Sequence, residues 1–239
     1  PDAWNLDLEM QLAGSQVPAG DWLARGEGDR KELRLEYLRG SLLDGGVDLS
    51  GTVAWAPVPR WNLQGAGKDL DPGSWQPELP GLIGFELRTE GQLETAAGLQ
   101  ATFNLQQLTG ELSGRPVSAA AKGAVAGDAI TLDTLDLVSG ANHLHASGEL
   151  DGEHLALDWT LQLPDPGLLL PGAAGSLEAS GHVGGITTSP QMTARLAGAA
   201  GADRSALFQS LCLLLVGRHP LPEARLGIQI GLPLLVGRL

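Results

Sequence analysis

The sequence predicts an all-β protein whose short strands follow one another as a long antiparallel meander. Apolar and polar residues alternate with a period of two along most of the chain, which is the pattern of strands with one apolar face. The 34 glycines, together with only 4% aromatic residues, indicate many turns and short strands. No long helical periodicity interrupts this alternation before residue 200.

Each predicted strand is justified by its own alternation. In "WNLDLEMQL", Trp4 and Leu8 fall on one face, whereas Asp7 and Glu9 fall on the other. The stretches "GLQATFNLQ" and "HLALDWTLQL" alternate in the same way. The predicted strands are 3–12, 21–28, 32–41, 47–55, 60–66, 82–93, 98–108, 116–125, 129–138, 143–150, 154–163, 175–184 and 190–197.

Short turn sequences separate the predicted strands. Examples are "DGG" at 44–46, "AGD" at 126–128 and "DGE" at 151–153. Connections of this length favour antiparallel neighbours, because parallel strands need long crossovers.

One unusual phrase occurs twice. "WNLQGAGKDLDPGSWQPELPG" begins at Trp61, and "WTLQLPDPGLLLPG" begins at Trp159. Proline ends a strand because it cannot donate a ladder hydrogen bond, and glycine supplies the positive φ of a tight turn. Asp71-Pro72-Gly73 and Asp165-Pro166-Gly167 are therefore predicted to be longer joints between blocks of strands rather than sites of chemistry.

The repeated phrase lies within a larger repeat. Ser50-Gly51 precedes the first Trp, and Ser147-Gly148 precedes the second. Strand order is kept while the offset drifts, as expected for a repeated multi-strand unit. We therefore predict a β-repeat segment over 1–200, in two blocks of roughly 1–110 and 111–200, followed by an atypical segment at 201–239. That last segment loses the alternation; a cap or helix is predicted there, with a weak strand at "RLGIQIGL".

Charge and composition exclude several classes of function. The net charge of −13 disfavours binding to nucleic acid phosphates and to anionic lipid headgroups. The single Cys212 permits no internal disulfide. The longest apolar run, at 206–217, is too short to cross a bilayer comfortably, so any membrane anchor is predicted to lie outside this chain.

The sequence shows little sign of catalytic or metal chemistry. A two-residue turn at Asp151-Gly152 would place His154 opposite Glu149 and His145 opposite Asp158. With His143, these histidines share the polar face of a hairpin, where solvated cross-strand pairs are the expected interpretation and a fourth zinc ligand is missing. No nucleophile elbow, phosphate-binding loop or zinc-protease motif occurs. We expect no enzyme activity and no cofactor.

The apolar faces leave two alternatives open. They form either the ordinary filled core of a sandwich or barrel, or the lining of an open sheet that receives a ligand. Periodicity predicts one apolar face in both cases. Small inward residues hint at a face that large side chains do not fill: Ala119, Ala121, Gly123, Ala146 and Gly148. On the residues alone the ordinary core is the simpler interpretation.

The order of several phrases resembles the TamB family. Residues 108–163 carry the family's "L-x-G-x-L-x-G-x-P" phrase, here "LTGELSGRP". They continue with "L-x-L-x-x-G-x-N-x-L-x-x-x-G" from Leu135 to Gly148, and then with a Trp-bearing strand. "SGTVAWAPVPRWNLQGAGKDLDPGSWQPELPG" and "GHVGGITTSPQMTARLAG" extend the pattern. The resemblance covers about residues 1–200 and stops before the last segment.

The resemblance implies a fold and a role. TamB-like proteins, like the related AsmA-like proteins, form a long sheet curled into an open, taco-like groove with an apolar concave face. The family is anchored in the inner membrane of Gram-negative bacteria, crosses the periplasm and partners an Omp85-type barrel, TamA. It is linked to phospholipid transport, to assembly of outer-membrane proteins and autotransporters, and so to protein secretion.

The resemblance thus favours the open groove over the filled core, with phospholipid or unfolded outer-membrane protein as the cargo. The alternative is a structural or adhesive β-domain without cargo. The residues predicted to line the groove are Trp4, Leu6, Leu8, Leu35, Val53, Trp55, Trp61, Leu63, Ile83, Phe85, Leu87, Phe103, Leu105, Val117, Ile130, Leu132, Leu144, Leu157, Trp159, Leu161, Leu177 and Val183.

Overall fold

A computed structural model describes residues 3–12, 20–94, 98–164, 175–198 and 227–229. The chain divides into two compact units, Pro1–Gly140 and Ala141–Leu239, which we name unit 1 and unit 2. Each unit is described separately below.

Unit 1 contains nine antiparallel strands. Their spatial order is their order along the chain, and among the described residues the first and last strands do not pair with each other. The sheet is therefore unclosed; it is curled, as an open groove requires. The strands are β1 (Trp4–Leu12), β2 (Gly20–Gly28), β3 (Glu32–Leu42), β4 (Gly45–Ala54), β5 (Arg60–Leu70), β6 (Gly81–Glu94), β7 (Gly98–Leu112), β8 (Arg115–Ala126) and β9 (Ala129–Ser139).

Unit 2 contains four antiparallel strands and one short parallel strand. They are β10 (Asn142–Asp151), β11 (His154–Leu163), β12 (Leu177–Ile186), β13 (Ser189–Gly198) and β14 (Gly227–Gln229). The last strand lies within the predicted weak strand but pairs parallel with β13. The antiparallel meander is predicted only for the strands before residue 200, and no direction is predicted for this one. Segments that are distant along the chain can pair in either direction, whereas tight turns permit only antiparallel neighbours.

The predicted all-β meander is confirmed. All thirteen predicted strands are present, as β1–β13, with ends within four residues of the prediction. Within the described residues the helical content is one 3₁₀ turn, Pro72–Ser74, and no helix there could cross a membrane. The predicted repeat blocks stay a prediction. Cys212, the joint at 165–167 and all of the 201–239 segment except 227–229 lie outside the described residues.

Every second strand of unit 1 carries a β-bulge that the sequence analysis missed. β3, β5, β7 and β9 each have one extra residue relative to a neighbouring strand. In β3, for example, Leu35 pairs with Gly51 and Leu38 pairs with Leu49. The extra residue places two leucines three positions apart on the same face. It also bends the strand and increases its twist, which favours a curled sheet.

The hairpin between β10 and β11 has a different register from the predicted one. Asp151 pairs with His154, His145 pairs with Thr160, and Ser147 pairs with Asp158. The loop is Gly152-Glu153, because Gly152 has a φ of 57° and glycine favours the first position of a two-residue hairpin loop. The predicted pairings of His154 with Glu149 and of His145 with Asp158 are therefore wrong. The shift is even, so each side chain keeps the predicted face.

The two repeated Ser-Gly pairs share a backbone constraint. Gly51 has a φ of 142° and Gly148 a φ of 158°. A Cβ at Gly51 would overlap the carbonyl oxygen of Asn62, and one at Gly148 would overlap the carbonyl oxygen of Ala156. Only glycine allows the neighbouring strand to approach this closely.

A ladder of polar side chains crosses the other face of β1–β4. Arg25 donates to Asp7 over 3.1 Å, and Arg39 donates to Asp48 over 2.7 Å. Both guanidinium groups stack on Tyr37, at 5.7 Å and 4.5 Å from its ring centroid. The hydrogen bond to Asp7 raises the pKa of Arg25, and that to Asp48 raises the pKa of Arg39. This ladder keeps one face of the sheet charged and hydrated.

Replacement of Gly51 by alanine should destabilise unit 1 by at least about 2 kcal/mol, because the new Cβ meets a backbone oxygen at a positive φ. Gly46 in the same strand has no atom within 4 Å of its Cβ position. Gly46→Ala should therefore change stability by at most about 0.5 kcal/mol. Urea unfolding followed by circular dichroism measures both changes. Equal midpoints for the two variants would contradict the constraint.

Candidate functional site

The strand register of unit 1 aligns its apolar residues in four rows, each crossing all nine strands. We call the face that carries them the inner face. Row 1 is Trp4, Gly28, Leu33, Val53, Trp61, Gly91, Ala101, Val125 and Ile130; row 2 is Leu6, Gly26, Leu35, Gly51, Leu63, Thr89, Phe103, Gly123 and Leu132. Row 3 is Leu8, Ala24, Leu38, Leu49, Gly65, Leu87, Leu105, Ala121 and Leu135; row 4 is Met10, Trp22, Gly40, Val47, Gly67, Phe85, Leu108, Ala119 and Leu137.

The four rows form one apolar surface. No charged residue belongs to them, and apart from the indole N–H groups Thr89 carries their one polar side-chain group. Strand spacing gives each row a length of about 38 Å, and the four rows together span about 20 Å along the strands. Among the described residues of unit 1, no second layer of strands contributes to this surface.

The inner face is partly exposed. Ala24, Val47 and Ala121 are buried, whereas Leu8 is 42% exposed and Ile130 is 44% exposed. Most of the remaining side chains in the rows are intermediate. A filled sandwich core would bury such residues almost completely.

Aromatic rings on this face lie over glycines of the neighbouring strand. A Cβ added at any of these glycines would overlap the ring directly opposite in the register. We call these contacts aromatic–glycine pairs. In unit 1 they are Trp4 with Gly28, Trp22 with Gly40, Trp61 with Gly91, Phe85 with Gly67, and Phe103 with Gly123; unit 2 has Trp159 with Gly181. Each ring occupies the space that a side chain would otherwise fill.

Two further contacts fix tryptophans at one edge of the inner face. Nε1 of Trp4 donates to the carbonyl oxygen of Asp29 over 2.9 Å, and Nε1 of Trp55 donates to that of Arg30 over 2.7 Å. The two indoles stack with their centroids 6.3 Å apart. Both rings are thereby held on the β2–β3 turn.

Thr89 is the polar exception within the rows. Its hydroxyl accepts from Nε1 of Trp61 over 3.2 Å and donates to the carbonyl oxygen of Thr102 over 2.9 Å. Both partners belong to the protein, so the hydroxyl accepts the indole N–H of Trp61 in row 1 and is not free to bond to a ligand. The indole nitrogens of Trp22 and Trp159 are buried and have no hydrogen-bond partner.

The structure places the predicted lining residues on one face within each unit. Ile83 and Val117 lie beside row 4, both paired with Gly110, and Trp55 follows β4. The residues within the rows are Trp4, Leu6, Leu8, Leu35, Val53, Trp61, Leu63, Phe85, Leu87, Phe103, Leu105, Ile130 and Leu132. Those on the apolar face of unit 2 are Leu144, Leu157, Trp159, Leu161, Leu177 and Val183. Their contact with a cargo stays a prediction.

The apolar face of unit 2 differs from that of unit 1. Trp159 is 2% exposed and Leu163 1%, and Val183 and Met192 are also buried. This degree of burial is that of a packed core. The two repeated tryptophans therefore share an aromatic–glycine pair but differ in exposure, since Trp61 is only half-buried.

Sequence reasoning missed part of the inner face. Leu38, Leu108 and Leu135 were not predicted, because each lies beyond a bulge where the period of two is broken. A spacing of three between leucines, as in Leu35–Leu38 and Leu105–Leu108, is the signal that could have found them.

The histidines that the structure describes do not converge on a metal site. His143 and His145 lie on the polar face of β10, and His154 begins β11. Within the described ranges no group of three or more His, Cys, Asp or Glu side chains could hold a metal ion. One histidine contact that the sequence did not predict is that between Nδ1 of His182 and Oδ1 of Asp158, at 2.9 Å.

One comparison with known proteins identifies the family of the chain. No solved structure matches the chain. The profile of the family described as TamB, N-terminal domain, matches residues 1–201. This match spans most of the chain and ends where the predicted atypical segment begins, so the chain belongs to the TamB family.

Proposed function

We propose that the inner face of unit 1 holds phospholipid acyl chains during transport between membranes. The observation that supports this function most directly is the set of four apolar rows, which cross nine strands without a charged residue. A methylene that leaves water for such a surface gains about 0.8 kcal/mol. Binding of this kind needs a continuous dry surface and no specific pocket.

The chemistry of the rows favours an acyl chain over an unfolded protein strand. A strand brings one N–H and one C=O per residue, and each costs about 1–3 kcal/mol when buried without a partner. The hydroxyl of Thr89 is already bonded to Trp61 and Thr102, and the backbone groups of the inner strands pair with one another. An acyl chain carries no polar group that needs a partner.

The cellular role follows from the family as part of the same proposal. The protein would act in the periplasm, anchored to the inner membrane through a segment outside this chain, with an Omp85-type barrel, TamA, as its partner. Assembly of autotransporters and other outer-membrane proteins, and hence protein secretion, would then depend on the lipid supply. The function needs no catalysis and no cofactor.

A filled core without cargo remains the second candidate, and it applies to unit 2. The 2% exposure of Trp159 and the 1% exposure of Leu163 leave no room for an acyl chain on those side chains. The groove function is therefore proposed for unit 1 alone.

A photo-crosslinking residue at Phe85 or Phe103 should form adducts with phospholipid in cells, because both positions lie within the rows. Arg88 and Asn104 lie on the opposite face of the same strands and serve as matched controls. Mass spectrometry of the adducts identifies the cargo. Protein adducts instead of lipid, or equal yields at inner and outer positions, would contradict the proposal.

The variant Leu105→Asp should weaken binding of a fluorescent fatty acid by at least about tenfold. A carboxylate that loses water when an acyl chain covers the inner face lowers the binding free energy by more than about 1.4 kcal/mol. Asn104→Asp introduces the same charge on the outer face of β7 and should leave the affinity unchanged. Fluorescence titration measures both affinities, with thermal unfolding as the check on folding. Equal affinities for two folded variants would exclude the inner face as the binding site.

A further inference from the structure

We infer that the β5–β6 connection, residues 71–80, docks the protein on the surface of a zwitterionic lipid bilayer. This connection begins with Asp71-Pro72-Gly73 of the first copy of the repeated phrase, which the sequence predicts to be a joint only. The inference deepens the proposed function, because a lipid must reach the inner face from a membrane.

The connection is internally ordered. Oδ1 of Asp71 accepts from the backbone N–H of Gly73 over 2.8 Å and from that of Gly81 over 3.0 Å. One carboxylate oxygen therefore binds the backbone at the beginning and at the end of the connection. Within it, the N–H of Trp75 donates to Pro72 over 3.1 Å and that of Leu79 donates to Gln76 over 2.9 Å.

The connection is also fixed to the hairpin turns on either side. The N–H of Asp71 donates to the carbonyl oxygen of Leu43 over 2.7 Å, and the N–H of Ser113 donates to that of Pro80 over 2.6 Å. The β3–β4, β5–β6 and β7–β8 connections thus lie side by side along one edge of the inner face, next to row 4. Any chain that enters row 4 from this edge passes the connection.

This ordered connection presents apolar side chains to solvent. Trp75 is 56% exposed and Leu79 is 43% exposed, and Leu82 beside them is 56% exposed. The ring of Trp75 has no hydrogen-bond, stacking or cation contact within the described residues. Because the backbone that carries Trp75 is already ordered by hydrogen bonds, binding through this side chain costs little further backbone entropy, so the arrangement suits a docking element.

The chemistry of the connection fits the headgroup level of a bilayer. Tryptophan concentrates at membrane interfaces because its ring is apolar and its N–H is polar. Between Pro72 and Pro80 the one charged residue is Glu78. The net charge of −13 repels anionic lipids, so a zwitterionic surface is the better partner.

The test is co-flotation of the 239-residue chain with phosphatidylcholine vesicles, together with tryptophan quenching by brominated phosphatidylcholine. Trp75→Ser should lower vesicle binding at least about fivefold, as expected for the loss of an aromatic anchor, and should remove most of the quenching. Leu23→Ser is the matched control: Leu23 is 50% exposed and lies on the outer face of β2, where it pairs with Arg39. It should bind vesicles as the unaltered chain does.

The Leu105→Asp variant separates this inference from the proposed function. It should lose fatty-acid binding and keep vesicle binding, whereas Trp75→Ser should do the opposite. Vesicle binding by folded Trp75→Ser that equals that of the unaltered chain would overturn the inference. Absence of vesicle binding by the unaltered chain would also overturn the inference. If the chain does not bind vesicles but Trp75→Ser impairs growth, the partner of the connection is a protein instead.

Discussion

The contact on which the inner face depends is an aromatic ring lying over a glycine of the adjacent strand. Among the described strands of unit 1 no second layer covers the apolar side of the sheet, so large side chains that extended away from the sheet would be exposed to water. In the aromatic–glycine pairs, the ring instead covers the backbone of its neighbour, as Trp61 does at Gly91 and Phe103 does at Gly123. The ring thus adds apolar surface to the sheet while it lies flat against the neighbouring strand. A Cβ on either glycine would force the ring away from the sheet.

The bulges are what allow this arrangement to continue across nine strands. In a regular strand, two leucines three positions apart lie on opposite faces, so the second leucine would point away from the inner face. The extra residues in β3, β7 and β9 restore the phase, so that Leu38, Leu108 and Leu135 return to the inner face. Each bulge also bends its strand. Curvature and a continuous apolar surface therefore arise from the same local feature.

The sequence predicts the strands well because alternation and turn residues are local signals. Gly127 and Gly152 take the positive φ that their turns need, and the strands on either side follow. The register of the β10–β11 hairpin was predicted two residues away from the true one, because "DGE" contains two possible two-residue loops and only the backbone decides between them. The predicted face of each side chain is still correct, because the register shift is an even number of residues.

The candidate site is less accessible from the sequence, because it depends on pairs that are distant along the chain. Trp61 was predicted to face inward, but its partners Thr89 and Gly91 lie about thirty residues away, and no local pattern connects them. The different burial of Trp61 and Trp159 cannot be predicted from the repeat, since both residues open the same phrase. A shared phrase specifies a shared strand and ring position, whereas exposure depends on what packs against that strand.

The proposed preference for acyl chains follows from how few polar groups of the inner face lack a partner; among the described residues the indole N–H of Trp22 is the exception. Where a sheet binds peptide strands, it does so through unpaired backbone groups at an edge. Across the rows of unit 1, the neighbouring strands use those groups, and the one hydroxyl is held between Trp61 and Thr102. The surface available to a ligand is therefore almost entirely apolar. A chain of methylenes gains free energy by contact with such a surface and gives up no hydrogen bonds when it leaves water.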